Sequence, residues 1–319
     1  MEFTIVRHPV WRAWARWAVF MATLGWLAHA ASSAQGTPWS VGAVSTRAWS
    51  IMPAVAVLAV VNWWVESVKW RRLMRPLIRL SGPEAFRATL SGTTLGLVTP
   101  NRTGEFLGRI AHLPASMRTH AALASLPGSI AQFTVTLVAG ALGLMVLWGA
   151  ASTELPVNPA ALLALAAVIA VPSMLLMRPA RLAALLLRLP LPRAWRNGVN
   201  ALVEGQGRPA PAILALSAIR YLVFSLQFVL LLLLFAPEVA WPYACGAVPV
   251  IFLITTLVPT AVLTELGVRG SVAVAVLAPL QVVTLPVLSA TFTLWLANLA
   301  LPAIAGGVML VAARRGSAA

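Results

Sequence analysis

The chain alternates apolar runs with short connections that hold most of its arginines, and this segregation limits what it can fold into. Eight runs read as helical crossings, at about Trp17–Ala31, Trp49–Val68, Ser125–Trp148, Ala160–Met177, Ala210–Phe235, Tyr243–Leu257, Gly270–Thr284 and Pro286–Val311. A helix needs about 20 apolar residues to cross a bilayer, and several of these runs approach that length. Only 10% of the residues are charged, against about 25% in soluble domains, and mean hydropathy is +0.87. Continuous Leu-Ala-Val segments, without ten-residue alternation, argue against a β-barrel. The expected fold class is an all-α polytopic membrane protein, one membrane domain over residues 1–319, with both termini cytoplasmic.

The arginines set the expected topology through the positive-inside bias. Lys69, Arg71, Arg72, Arg75 and Arg79 follow the second run, and Arg178, Arg181, Arg188, Arg193, Arg196 and Arg208 follow the fourth. Residues 32–48, 149–158 and 236–242, expected outside, hold one cation, Arg47. The net charge of +15 is thus scattered between spans, so no nucleic-acid surface is expected. The first run also resembles a signal peptide, with Ala28-His-Ala30 as a cleavage site. Aspartate is absent from the chain, which removes the ligand pairs of metal-dependent membrane transferases. No cofactor or metal is expected. The single Cys245 reads as a buried apolar thiol.

Two polar stretches interrupt this pattern. Leu97-Val-Thr-Pro-Asn-Arg-Thr-Gly-Glu-Phe-Leu-Gly-Arg109 has a counterpart in Leu257-Val-Pro-Thr-Ala-Val-Leu-Thr-Glu-Leu-Gly-Val-Arg269, about 160 residues later. Each contains a proline, then a glutamate, then an arginine four positions on, and each is preceded or opened by Thr-Thr-Leu. Pro100 and Pro259 lack a backbone donor and disfavour helix in the residue before them, so both stretches read as helix breaks, with Gly104 assisting the first. Residues 81–99 open with Ser81-Gly82-Pro83-Glu84, a helix N-cap with Pro in the first turn. The run that follows is too short and too rich in small polar residues to cross alone, and reads as re-entrant.

Paired breaks at matching places in two halves, here about 1–160 and 161–319, are the best sequence pointer to a transporter's binding site. Counting spans puts both motifs on the cytoplasmic side, as parallel repeats would, and re-entrant segments would reverse that count. Glu105 and Arg109, like Glu265 and Arg269, have the i, i+4 spacing of a helical ion pair. Arginine's planar fork suits phosphate, and Arg102 adds a third cation beside the first break. Arg220 and Gln227 share one face of the fifth run with Phe224. Asn62, Glu66 and Lys69 share a face of the second. They read either as an ion pair at headgroup level or as the polar lip of a cavity.

Asn62-Trp-Trp-Val-Glu-Ser-Val-Lys-Trp-Arg-Arg-Leu73, Gly96 through Arg109, Arg220 through Gln227 and Thr264 through Arg269 together resemble the transmembrane region of lysylphosphatidylglycerol synthases, and most of all its stand-alone, flippase-like relatives. The resemblance spans roughly residues 50–310. Where that family has Pro-Gly-Arg this chain has Pro100-Asn101-Arg102, and asparagine also tolerates left-handed backbone. The resemblance implies about eight helices with re-entrant segments in a bacterial plasma membrane, handling an anionic lipid or lipid-linked substrate. It implies membrane lipids as partners and a separate lipid-modifying enzyme, since the aminoacyl-transferring domain is absent. The expected function is a lipid translocase and not an enzyme. A transporter of a small soluble anion or amino acid is the alternative, and a lipid-modifying membrane enzyme a third reading.

Overall fold

The structure, a computed structural model, describes residues 41–97, 99, 104–150, 159–204, 210–258 and 262–316. Twelve α-helices follow in chain order: α1 (Val41–Met74), α2 (Gly82–Leu97), α3 (Gly104–Ile110), α4 (Arg118–Ala150), α5 (Pro159–Met177), α6 (Pro179–Leu187), α7 (Arg193–Glu204), α8 (Ala210–Phe235), α9 (Trp241–Leu257), α10 (Val262–Leu277), α11 (Thr284–Trp295) and α12 (Leu301–Gly316). A π-helical segment, Leu296–Ala300, joins the last two. No strand occurs among the described residues.

Among the described residues, four stretches are long and apolar enough to cross a membrane: Ala48–Met74, Ala115–Gly149, Ala210–Phe235 and Thr284–Ala312. The bent pair α5 and α6, which turn by 101°, brings the number to five if counted as one span. Outward faces are apolar, with Trp64, Leu222, Ile304 and Val308 all more than half exposed, as a lipid-facing surface requires. The expected first span lies outside the described residues. The expected sixth and seventh spans fall on α9 and α10, which pack against each other as the arms of one hairpin. Their near ends are Val258 and Val262, and at their far end the Tyr243 hydroxyl reaches the Val276 carbonyl at 3.5 Å.

α2 and α3 form a second hairpin, and its construction is legible residue by residue. Ser81 and Glu84 cap α2 reciprocally: the Glu84 carboxylate accepts from the Ser81 backbone N–H at 2.8 Å, and the Ser81 hydroxyl faces the Glu84 N–H at 3.4 Å. This holds the Glu84 carboxyl below its ordinary value of 4.5. Thr99 closes the other end, its hydroxyl accepting from the Gly104 N–H at 2.7 Å. Gly104 therefore starts α3 and does not break a helix. It must be glycine because a Cβ there would overlap the Leu95 carbonyl, as one on Gly108 would overlap that of Ser91. Small residues allow helices this close without a hydrophobic drive.

The packing directions fix where the hairpins sit. One apolar core gathers Trp70 and Met74 of α1, Ala85 and Ala88 of α2, Ile110 of α3, Ala121 of α4 and Ile213 of α8. This end of the bundle carries Arg71, Arg72, Arg75 and Arg79. A second core gathers Val55 of α1, Phe228 to Leu234 of α8, Ala244 to Phe252 of α9, and Ala273 and Leu277 of α10, and a small third one joins Leu123, Ala183 and Val199. The α2–α3 hairpin thus rises from the arginine end, and the α9–α10 hairpin descends from the opposite end. Each first arm is clasped by a long helix of the other half through glycine. α2 meets α12 where a Cβ on Gly306 would overlap the Leu90 carbonyl, and Thr94 donates to the Ala303 carbonyl at 2.7 Å. α9 meets α4 where a Cβ on Gly140 would lie 2.6 Å from Leu253 Cβ. The hairpins that carry the two motifs therefore approach the middle of the bundle from opposite ends, the arrangement that re-entrant segments would give, and not from one face as the count of spans has it. Cys245, expected buried, is exposed on α9.

Candidate functional site

Between the two apolar cores lies a polar layer. Each of the four long apolar helices puts one polar side chain near its midpoint: Asn62, Gln132, Arg220 and Asn298. All four line a chamber of about 190 Å³, with Thr136, Tyr221, Phe224, Phe252, Thr255 and Arg269. A second chamber of about 260 Å³ is lined by Glu66, Lys69, Glu105, Arg109 and Ser129, and it shares Gln132, Thr136, Arg220 and Thr256 with the first. The two chambers are neighbours, and Arg220 lines both.

Glu66 organises the second chamber. Its carboxylate lies 2.8 Å from Lys69, 2.8 Å from Arg109 and 3.3 Å from Arg220, joining α1, α3 and α8. Its side chain is 9% exposed and those of Lys69 and Arg109 are 4% and 12%. Charges this buried persist only when paired, and one carboxylate meeting three cations supplies that pairing. The Glu105–Arg109 pair expected from spacing is present but long, at 3.6 Å. The carboxylate that holds Arg109 comes from α1 and lies 43 positions away. The Glu66–Lys69 pair forms as expected, in the polar layer and lining the cavity.

The second motif is built differently. Arg269 donates to Glu265 at 2.6 Å within α10, so here the i, i+4 pair is the main contact. The guanidinium then lies over two stacked rings, 5.5 Å from the centroid of Phe224 and 5.7 Å from that of Phe252. Cation–π attraction is worth about 2 kcal/mol or more when desolvated, and the rings hold the arginine without neutralising it.

A matching pattern accompanies the motifs. Asn62-Trp-Trp-Val-Glu-Ser67 and Arg220-Tyr-Leu-Val-Phe-Ser225 share an aromatic, Val and Ser in register, which sets Asn62 opposite Arg220 and Glu66 opposite Phe224. The geometry follows it, since Arg109 rests on Glu66 and Arg269 on Phe224.

Of the residues expected at the site, Arg109, Glu105, Arg220 and Arg269 come together around the cavity, with Glu265 bound to Arg269. Gln227 does not join them. It is fully buried and donates to the Val55 carbonyl at 3.0 Å, tying α8 to α1 inside the apolar core. Seven residues along a helix return to the same face about 10 Å further up, which carries Gln227 out of the polar layer. Arg102, Pro100 and Pro259 lie outside the described residues.

Asn298 went unread, because the π-helical segment that carries it has no sequence signature. Its amide donates to the Leu294 carbonyl at 3.2 Å, and its oxygen accepts from Asn62 at 2.8 Å. π-Helical turns recur at functional sites. His112 is not part of the cavity; it faces the Ser91 hydroxyl at 2.8 Å within the first hairpin. No group of three metal-ligating side chains is found among the described residues.

No known protein family, curated protein or solved structure matches the chain.

Proposed function

We propose that this chain is a membrane transporter that carries the phosphate-bearing headgroup of an anionic lipid through the polar layer. The observation that supports it is the cationic cavity at mid-height, where Arg109, Arg220 and Arg269 converge at the tips of two hairpins entering from opposite ends. Read this way the hairpins are re-entrant, and the two halves form an inverted repeat. Broken helices meeting at the bilayer midplane are how such repeats build a site that either side can reach. Irregular backbone at membrane depth is tolerated where it lines a cavity, and ionised side chains there cost about 2.5–3.5 kcal/mol each on insertion scales, so a function is the economical reason for them. The resemblance to flippase-like membrane regions points the same way. With the arginine end cytoplasmic, the first hairpin opens from the cytoplasm and the second from outside, in a bacterial plasma membrane.

The guanidinium forks take the phosphate, the acyl chains stay in lipid, and Glu66, Glu105 and Glu265 serve as counter-charges or proton carriers. The test is movement of a headgroup-labelled anionic phospholipid in proteoliposomes holding the purified chain. Arg269→Ala and Glu265→Gln are expected to abolish it while the protein still elutes as a folded species. Wild-type rates in both variants would overturn this site. A soluble anion is the second reading, favoured by chambers of only about 190 and 260 Å³. Full competition by soluble anions, with no dependence on headgroup, would select it.

A further inference from the structure

Asn62, Asn298, Thr136 and Thr255 line the first chamber, and their hydrogen bonds fix what each can still offer a ligand. Asn298 donates its amide N–H to the Leu294 carbonyl at 3.2 Å. A carbonyl only accepts, so it is the Asn298 oxygen that faces Asn62, and the Asn62 nitrogen donates to it at 2.8 Å. This leaves the Asn62 oxygen as an acceptor. It is buried and has no donor among the described residues. Buried polar atoms are nearly always paired in native proteins, so an acceptor left over on a residue that lines a cavity calls for a ligand with a donor.

The hydroxyls on the same wall carry the same requirement. Thr136 donates to the Gln132 carbonyl at 3.0 Å, and Thr255 to the Ile251 carbonyl at 2.8 Å, each one turn back along its helix. With these protons committed, both oxygens can only accept from a group in the chamber. A bare phosphate or carboxylate has no N–H or O–H to give them. Arginine donors therefore suit an anion, and these acceptors suit a second kind of group on the same ligand. An ammonium would also donate, but Arg220 and Arg269 line this chamber and, among the described residues, no carboxylate does. A hydroxyl donates without adding charge. The volume of about 190 Å³ holds on the order of six water-sized groups at about 30 Å³ each, which suits a short polyol.

We propose that the first chamber takes a hydroxyl-bearing headgroup, a short polyol carried next to the phosphate, and that Asn62, Thr136 and Thr255 accept its hydroxyl protons. The inference rests on the transport reading above and narrows its substrate class.

The experiment uses the full chain in phosphatidylcholine vesicles that hold one of three lipids, each labelled on the same acyl chain. Phosphatidylglycerol carries free hydroxyls. Phosphatidylpropanol has the same phosphodiester and carbon skeleton without them, and phosphatidylethanolamine carries an ammonium. Binding of each lipid is measured on the same protein by native mass spectrometry in detergent. The wild type is expected to favour phosphatidylglycerol over both others at least about tenfold, the scale of one buried acceptor left unpaired. Thr136→Val and Thr255→Val, which remove an acceptor, are each expected to narrow that ratio, and Thr255→Ser is expected to restore it. Equal handling of phosphatidylglycerol and phosphatidylpropanol by the wild type overturns the proposal, whatever the variants do. So does a preference for phosphatidylethanolamine, or a ratio unchanged in both valine variants. If no lipid moves but phosphatidylglycerol still binds selectively, the transport reading falls and the hydroxyl assignment stands. Soluble competitors identify the source of the group. Competition by glycerol 3-phosphate and not by propyl phosphate supports a soluble polyol phosphate, and competition by neither supports a lipid headgroup. Equal competition by both overturns the hydroxyl assignment.

Discussion

The two Pro–Glu–Arg motifs occupy matching places in the two halves, yet their arginines are held by opposite means. Arg109 is locked by a carboxylate from another helix, in a network that also takes in Lys69 and Arg220. Arg269 keeps its own Glu265 and rests on Phe224 and Phe252. The hairpins differ in the same sense. α2 and α3 are pressed together at Gly104 and Gly108 until the backbones touch, whereas the cavity end of α9–α10 is held largely by rings. One site is thus a structural lock that also bounds the cavity, and the other is an arginine presented on an aromatic surface. Related motifs are held by different means, and Glu66 against Phe224 is one difference that separates them.

That contrast can be broken from either side. The largest effect is expected from Glu66→Ala, which takes the 2.8 Å carboxylate partner from the buried Lys69 and from Arg109 and should cost about 3–5 kcal/mol, the usual penalty for breaking a buried ion pair. Thermal unfolding in detergent measures it, and Phe224→Leu at the matched position should cost no more than about 1.5 kcal/mol. Next comes Gly108→Val, which drives a side chain into the Ser91 carbonyl and should destabilise by about 1–3 kcal/mol. A smaller stability effect but a clear functional one is expected from Arg269→Lys. It keeps the charge and loses the planar fork and ring stacking, so the fold should survive while lipid movement in proteoliposomes falls about tenfold.

The smallest effect is a pH dependence confined to the first hairpin. The Glu84 carboxyl is held below 4.5 chiefly by the Ser81 backbone N–H. Its contribution to stability is therefore complete above that value and is lost as pH falls through the lower value of the folded state. Amide exchange in the first turn of α2 should quicken over that window, and Glu84→Gln should remove the dependence.

Much of this was legible in local sequence, and the remainder was not for identifiable reasons. The Ser81–Glu84 cap, the helices around Thr99 and Val258, and the Glu265–Arg269 pair are short-range features, and each is found where residue type and spacing put it. Glu66 reads in sequence as a partner for Lys69 or as part of a cavity's polar lip, and its contacts to Arg109 and Arg220 stay hidden because these reach it from distant parts of the chain. Gln227 shared a helical face with Arg220, but height along the helix decides what meets the polar layer, and spacing by face does not report height. The direction of the second hairpin was hidden by hydropathy. Arms of 17 and 16 residues read in sequence as two crossings, while their packing sets them side by side against the core at the end opposite to α2 and α3.

The central claim is that the tips of the two hairpins meet in the middle of the membrane, having entered from opposite sides. Sided labelling of Val258→Cys by an impermeant thiol reagent, in a Cys245→Ala background and with Arg79→Cys as reference, tests it most directly. Val258 closes the first arm of the second hairpin, and Arg79 is exposed at the arginine end. The account predicts that reagent applied from the side that modifies Arg79→Cys leaves Val258→Cys largely unmodified. Reaction of both cysteines from that side at equal rates would place the two motifs on one face and contradict it.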